Sequence, residues 1–251
     1  MRDGRAETER KGTNENQKEG AVGMEIEEAT WTEVRDSPPD VVLLPVGSTE
    51  QHGPHAPLST DALVAGTVAR EAAGRTDAAC ACLPTVPVGV SEEHRAFDGT
   101  VYVSPETFRA YVSETLRSAP ADRAVVVNGH GGNIDALGEA CARLTRETPV
   151  FATHWTWWEA IDEGDLSMGH AGAVETSVLL HLVPELVGEP VDGAESWGDS
   201  LEGAPLAYDT EEFTENGVVG DATDATAQEG ERLYEDAVGS LVRLVGHVAE
   251  L

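Results

Sequence analysis

Apolar residues along this chain come in short blocks separated by longer amphipathic stretches. Val41–Val46 (VVLLPV) is unbroken by any polar side chain and is bounded by Asp40 and Gly47, the pattern of a strand covered on both faces. Ala124–Val127 (AVVV) repeats it, Val150–Thr153 reads as a further strand, and Leu83–Val88 is an extended segment with Pro84 and Pro87 near its end. Between these blocks the period lengthens to that of helices, over 61–73, 134–145, 172–182 and 226–250. Ser104 before Pro105 and Glu106 marks a helix start, since serine caps free N–H groups and proline tolerates the first helical position; that helix should run to about Ser118. Strands alternating with helices imply an α/β fold in three layers, a mostly parallel sheet flanked by helices.

The first segment breaks this pattern. Residues 1–20 hold five Lys/Arg and five Asp/Glu with almost no large apolar side chain, so 1–23 is expected to be a disordered tail and 24–251 one domain. The formal net charge of −30, from 16 basic and 46 acidic residues, therefore belongs to residues 21–251. A surface of that sign repels phosphate backbones, which argues against nucleic acid and anionic membranes as partners. It resembles the surface of proteins from extreme halophiles, where salt screens self-repulsion. No apolar run is long enough to span a bilayer, and the expected location is the cytoplasm. Cys80, Cys82 and Cys141 fit no metal or redox spacing and read as small core residues.

Three polar clusters punctuate the apolar blocks. Gly47–His55 (GSTEQHGPH), closing with Thr60-Asp61, starts where a buried strand ends, the position at which open α/β sheets place ligands. Glu50 and His52 are two apart and point the same way in extended chain, and Asp61 arrives at the next helix start. Carboxylates with an imidazole suit a divalent metal such as Zn, Mn or Fe. Either His52 or His55 alone would read as an ordinary loop histidine. Asn128–Asn133 (NGHGGN) follows the second buried strand and aims His130 at the same sheet edge, while Gly169–Thr176 (GHAGAVET) brings His170 and Glu175 near a helix N-terminus. No phosphate-cradling glycine motif is present.

In that order these clusters resemble the creatininase family of amidohydrolases. Glu93-His94 with Phe97–Thr100, and Gly217–Asp221 with Ala225-Thr226, extend the likeness over about residues 40–240. The resemblance implies two divalent ions (Zn, Mn or Fe) per chain: Glu50, Asp61 and His130 on one, His52 and Asp61 on the other, with Asp61 bridging. Creatininase itself has a ligand glutamate where this chain has Gly132, and Glu175 is the expected replacement. His170 resembles the general acid that protonates the leaving amine.

The family's activities include creatinine ring opening, deformylation of a formylamino-pyrimidine ribonucleotide in riboflavin and deazaflavin biosynthesis, and cleavage of a redox-cofactor precursor peptide. Gly132 and the acidic composition favour the deformylase, with creatinine or the peptide as alternatives and an inactive metal-binding scaffold as the non-enzyme reading. For a planar nucleotide, Trp155, Trp157 or Trp158 would stack on the ring, Arg95 would meet the phosphate, and His94 and His55 would support the site. The resemblance also implies a small-molecule substrate and a homo-oligomer.

Overall fold

A computed structural model describes residues 23–164, 166 and 168–251, so the expected tail falls almost wholly outside the described residues. The described residues open with β1 (Met24–Glu25) and a short helix, α1 (Trp31–Asp36), whose start is a reciprocal cap between Thr30 and Glu33. There follow β2 (Val41–Val46), α2 (Thr60–Arg75), β3 (Cys80–Cys82), α3 (Pro105–Ser118), β4 (Arg123–Asn128), α4 (Ile134–Glu147), β5 (Phe151–Thr156) and α5 (Ala173–Leu182). A small antiparallel pair, β6 (Ser200–Leu201) and β7 (Ala204–Pro205), precedes α6 (Ala227–Ala249).

Five strands form one parallel sheet in the order β1-β3-β2-β4-β5. The period of two in β2 and β4 sorts their side chains between two cores. Val41, Leu43, Val125 and Val127 face α2, α5 and α6, while Val42, Leu44, Ala124 and Val126 face α3 and α4. The register places Leu43 beside Val125 and Leu44 beside Val126, so like faces pair across the ladder. This is the three-layer sheet the pattern of apolar blocks predicts.

Most boundaries match within two or three residues, and Ser104 caps α3 by accepting from the Thr107 N–H. The third strand lies earlier than the extended segment at 83–88. Cys80–Cys82 makes the ladder, between β1 and β2, whereas Pro84 and Pro87 have no N–H to give and the chain there rejoins the sheet only at Val86, opposite Val46. Pro45 is tolerated in central β2 because its missing N–H falls beyond the end of β3, while its carbonyl still accepts from the Val86 N–H.

Helix α6 lies against α5 at Gly230, where an added Cβ would sit 1.8 Å from the Ser177 carbonyl oxygen. Only glycine permits that approach.

Strand order reverses direction between β2 and β4. The connection leaving β2 runs through α2 on one face, and that leaving β4 runs through α4 on the other, which opens a crevice at the C-terminal ends of the two strands. The register Val46 to Asn128 brings the two polar loops out side by side at that crevice.

Candidate metal centre

Glu50 and His52 stand on the loop after β2, Asp61 in the first turn of α2, His130 just past β4, and Glu175 in the first turn of α5. All five are buried, as are His94 and His170. Asp61 lies at the centre: its Oδ1 is 3.0 Å from His52 Nε2 and its Oδ2 is 3.3 Å from His130 Nδ1. Glu50 Oε2 is 3.1 Å from His130 Nδ1 on one side, and Glu175 Oε1 is 3.8 Å from His52 Nε2 on the other. Asp61 thus turns one oxygen to each of two donor sets.

Backbone carbonyls fix the imidazoles. His52 donates Nδ1–H to the Glu50 carbonyl and His130 donates Nε2–H to the Val90 carbonyl, so His52 Nε2 and His130 Nδ1 are the nitrogens turned to the carboxylates. Both Glu50 oxygens, Asp61 Oδ2 and His52 Nε2 are buried without a hydrogen-bond partner. Orphaned acceptors gathered this densely cost several kcal/mol unless a cation or proton satisfies them. Burial would push His52 and His130 down, but the carboxylates outweigh it and hold both rings well above their ordinary range. Burial likewise opposes the charge on Asp61, and the two imidazoles overcome it to hold the carboxyl well below its ordinary value. A cation between these atoms takes over what protons do here, and Glu50–His52–Asp61 and His52–His170–Glu175 are both compact enough to hold one.

His170 stacks at 4.3 Å on His94 and lies 4.4 Å from the His52 ring. Its Nδ1 faces Glu50 Oε1 at 3.8 Å, and its Nε2 is 2.8 Å from both the backbone oxygen and the side-chain amide nitrogen of Gln51. With the two amide hydrogens directed to His94 and the Gly217 carbonyl, Nε2 donates to the Gln51 backbone carbonyl. Burial, then the neighbouring His52 charge, lowers its pKa. Burial and the charges of the surrounding histidines push His94 down to about 2.

The segment joining His170 to Glu175 is strained: Ala171 has φ +54°, and its N–H donates to Glu175 Oε2 at 2.6 Å. His55 supports this loop from behind. Its Nε2 is 3.0 Å from the Thr176 hydroxyl, which donates to the Ala171 carbonyl.

The site opens into a cavity of about 490 Å³ lined by His94, His130, Trp158, His170, Glu93 and Trp197, among others. Trp155 and Trp157 are not brought there. β5 turns Trp155 onto the helical layer of α6, and Trp157 is buried in the core beneath, which leaves only Trp158 of that group at the cavity. Arg95 is also elsewhere: it pairs with Asp209 and Glu92 and does not line the cavity.

Three residues given no role from sequence are prominent. The Gln51 amide ties His94 Nδ1 at 2.9 Å to the Gly217 carbonyl, which it reaches at 3.0 Å, while its Oε1 accepts from the Gly53 N–H. Glu93 and Trp197 form part of the cavity wall. Gln51 and Glu93 sit inside recognisable motifs, adjacent to assigned histidines, and that adjacency is the available signal. Trp197 lies in a loop without one.

Comparison with known proteins agrees with this architecture. The creatininase (creatinine amidohydrolase) family model matches residues 27–245. The mycofactocin precursor peptide peptidase of Mycolicibacterium smegmatis is 41% identical over 206 residues, covering 79% of this chain and 81% of the relative. A 2-amino-5-formylamino-6-ribosylaminopyrimidin-4(3H)-one 5'-monophosphate deformylase from Methanothermobacter marburgensis is 39% identical over 98 residues, 37% of this chain and 41% of the relative. Among solved structures, the manganese form of creatininase superposes with a TM-score of 0.73 at 23% identity, covering 90% of this chain and 98% of that one. Together these make the protein a hydrolase of carbon–nitrogen bonds. With a match that spans nearly every described element of the fold, the chain belongs to the creatininase family.

Proposed function

We propose that this chain is a dinuclear-metal amidohydrolase that cleaves an amide bond of a precursor peptide. The observation that carries the metal assignment is Asp61, whose two oxygens face different imidazoles amid buried atoms that have no partner. Glu50, Asp61 and His130 hold one ion; His52, Asp61 and Glu175 hold the other. A creatininase solved with manganese and a variant in a zinc form support divalent metals, and oxygen with imidazole donors suits zinc, manganese or iron. When bound, two such ions supply a water acidic enough to attack near neutral pH and an electrophile for the carbonyl.

The residues of the chain do the rest. His52 and His130 keep their lone pairs inward because their other nitrogens are held by backbone carbonyls. His170, at the cavity wall beside both donor sets, passes the proton to the departing amine, a step that a poor leaving group requires. Gln51 holds His94 Nδ1 through its amide and offers its backbone carbonyl to His170 Nε2–H, which keeps the two stacked rings in place.

The substrate favoured by composition is the formylamino-pyrimidine nucleotide. Two observations favour the peptide over it. The peptidase relative matches across four-fifths of both chains, whereas the deformylase match covers 98 residues. Among the described residues lining the cavity there is no Lys or Arg, and Arg95 is occupied by Asp209 and Glu92, so a phosphate would find no cationic partner. The same proposal keeps a homo-oligomer and a salt-rich setting, which sedimentation in dilute and concentrated KCl would test.

The deciding experiment incubates metal-loaded protein separately with a panel of peptides, with creatinine and with the formylamino nucleotide. Truncated peptide in the mass spectrum is the expected product. Formate from the nucleotide with every peptide intact would overturn the peptide assignment.

A further inference from the structure

We propose that Glu93, with Trp158 and Trp197, forms a subsite for a cationic group of the substrate; this deepens the amidohydrolase reading and rests on it for the identity of the cavity. Gly132 leaves the room for Glu93. A Cβ there would lie 2.1 Å from the Val90 carbonyl oxygen and 2.8 Å from Glu93 Oε1, so no side chain fits and the Glu93 carboxylate occupies the space beside it. Glu93 is a fourth carboxylate, distinct from the three that face the imidazole cluster. Its one ion-pair neighbour among the described residues is His130 Nε2 at 3.6 Å, and that nitrogen already donates to Val90.

The adjacent cation does not neutralise it. Arg95 turns to Asp209 and Glu92, and among the described residues Glu93 has no Lys or Arg within ion-pair distance. The side chain is about one-third exposed, and Glu93 lines the cavity. The same wall carries the indoles of Trp158 and Trp197, the latter 55% exposed, and among its described residues no Lys or Arg. A carboxylate and two indoles with no Lys or Arg beside them form a set that recognises an ammonium group, by charge and through the negative face of the rings. The ligand class is therefore a peptide or amine that bears a positive charge near the amide to be cleaved.

Binding tests this without any turnover. The probe is (2-phenylethyl)trimethylammonium, which has no lone pair to give a metal, compared with neutral 2-phenylethanol on metal-loaded protein by calorimetry. Wild type should bind the cation roughly ten-fold more tightly, a difference typical of a partly desolvated cation on aromatic faces. Glu93→Gln should erase most of that preference while metal content and alcohol binding stay as they were. Equal affinity of wild type for the two probes, or a preference that survives Glu93→Gln, overturns the subsite. Loss of metal in Glu93→Gln overturns it too, because the carboxylate would then be a ligand. Failure to cleave any peptide would sink the peptidase reading alone, since probe binding is read independently.

Discussion

Asp61 is the residue on which the two donor sets meet, because its oxygens diverge toward His52 and His130 while its backbone is fixed in the first turn of α2. Removing it should cost both ions. Glu175 reaches only the His52 side, so Glu175→Ala should lose one ion and keep the other. Elemental analysis of the two variants checks this, and two ions retained in Glu175→Ala would remove it from the ligand set. His170 makes a different demand. It lies within reach of compact donor sets as well as of the cavity, so a ligand role competes with a proton-transfer role. If it moves the proton, His170→Ala should keep its metal and lose roughly two to four orders of magnitude in kcat. Loss of an ion in parallel with kcat would make it a ligand instead.

At the scale of elements, the apolar runs and the polar clusters at their ends are legible in the sequence. Val41–Val46 and Ala124–Val127 announce strands because a doubly covered strand has no polar face, and the loops beyond them carry Glu50, His52 and His130. Short elements are not legible. β1 has two residues and gains its order from pairing with β3, and the β6–β7 pair has none of its residues buried, so neither leaves a periodic trace. The tryptophan group shows a finer limit. Sequence places Trp155, Trp157 and Trp158 near the end of β5, but pleat and turn decide which indole meets the cavity, and only Trp158 does. Contact between α5 and α6 carries a prediction of its own. A methyl at Gly230 must displace the Ser177 carbonyl, so Gly230→Ala should lower stability by about 1–3 kcal/mol despite alanine's better helix propensity. Urea denaturation reads the midpoint. An unchanged or higher midpoint would mean that the helices separate without cost.

For the whole molecule the governing quantity is charge. Sixteen basic side chains cannot neutralise 46 acidic ones, and several of the basic ones are already bound locally: Arg75 by Glu71 and Glu235, Arg232 by Glu229 and Asp236. Most surface carboxylates therefore face one another across water. Each such pair repels by under about 1 kcal/mol at ordinary separations in water, but many pairs act together and all favour expansion. Salt affects the two kinds of contact in opposite directions. It weakens the exposed arginine pairs, each worth about 0–1 kcal/mol at most, and it screens the far more numerous repulsions once the Debye length falls to about 3 Å near 1 M. Repulsion is the larger sum at −30, so the melting temperature should climb as KCl rises from dilute to molar concentration. Calorimetry across that range, with sucrose as an uncharged control, separates screening from general exclusion of solute. A melting temperature that stays flat or falls with KCl would mean that the acidic side chains are too far apart, or too well solvated, to destabilise the folded chain.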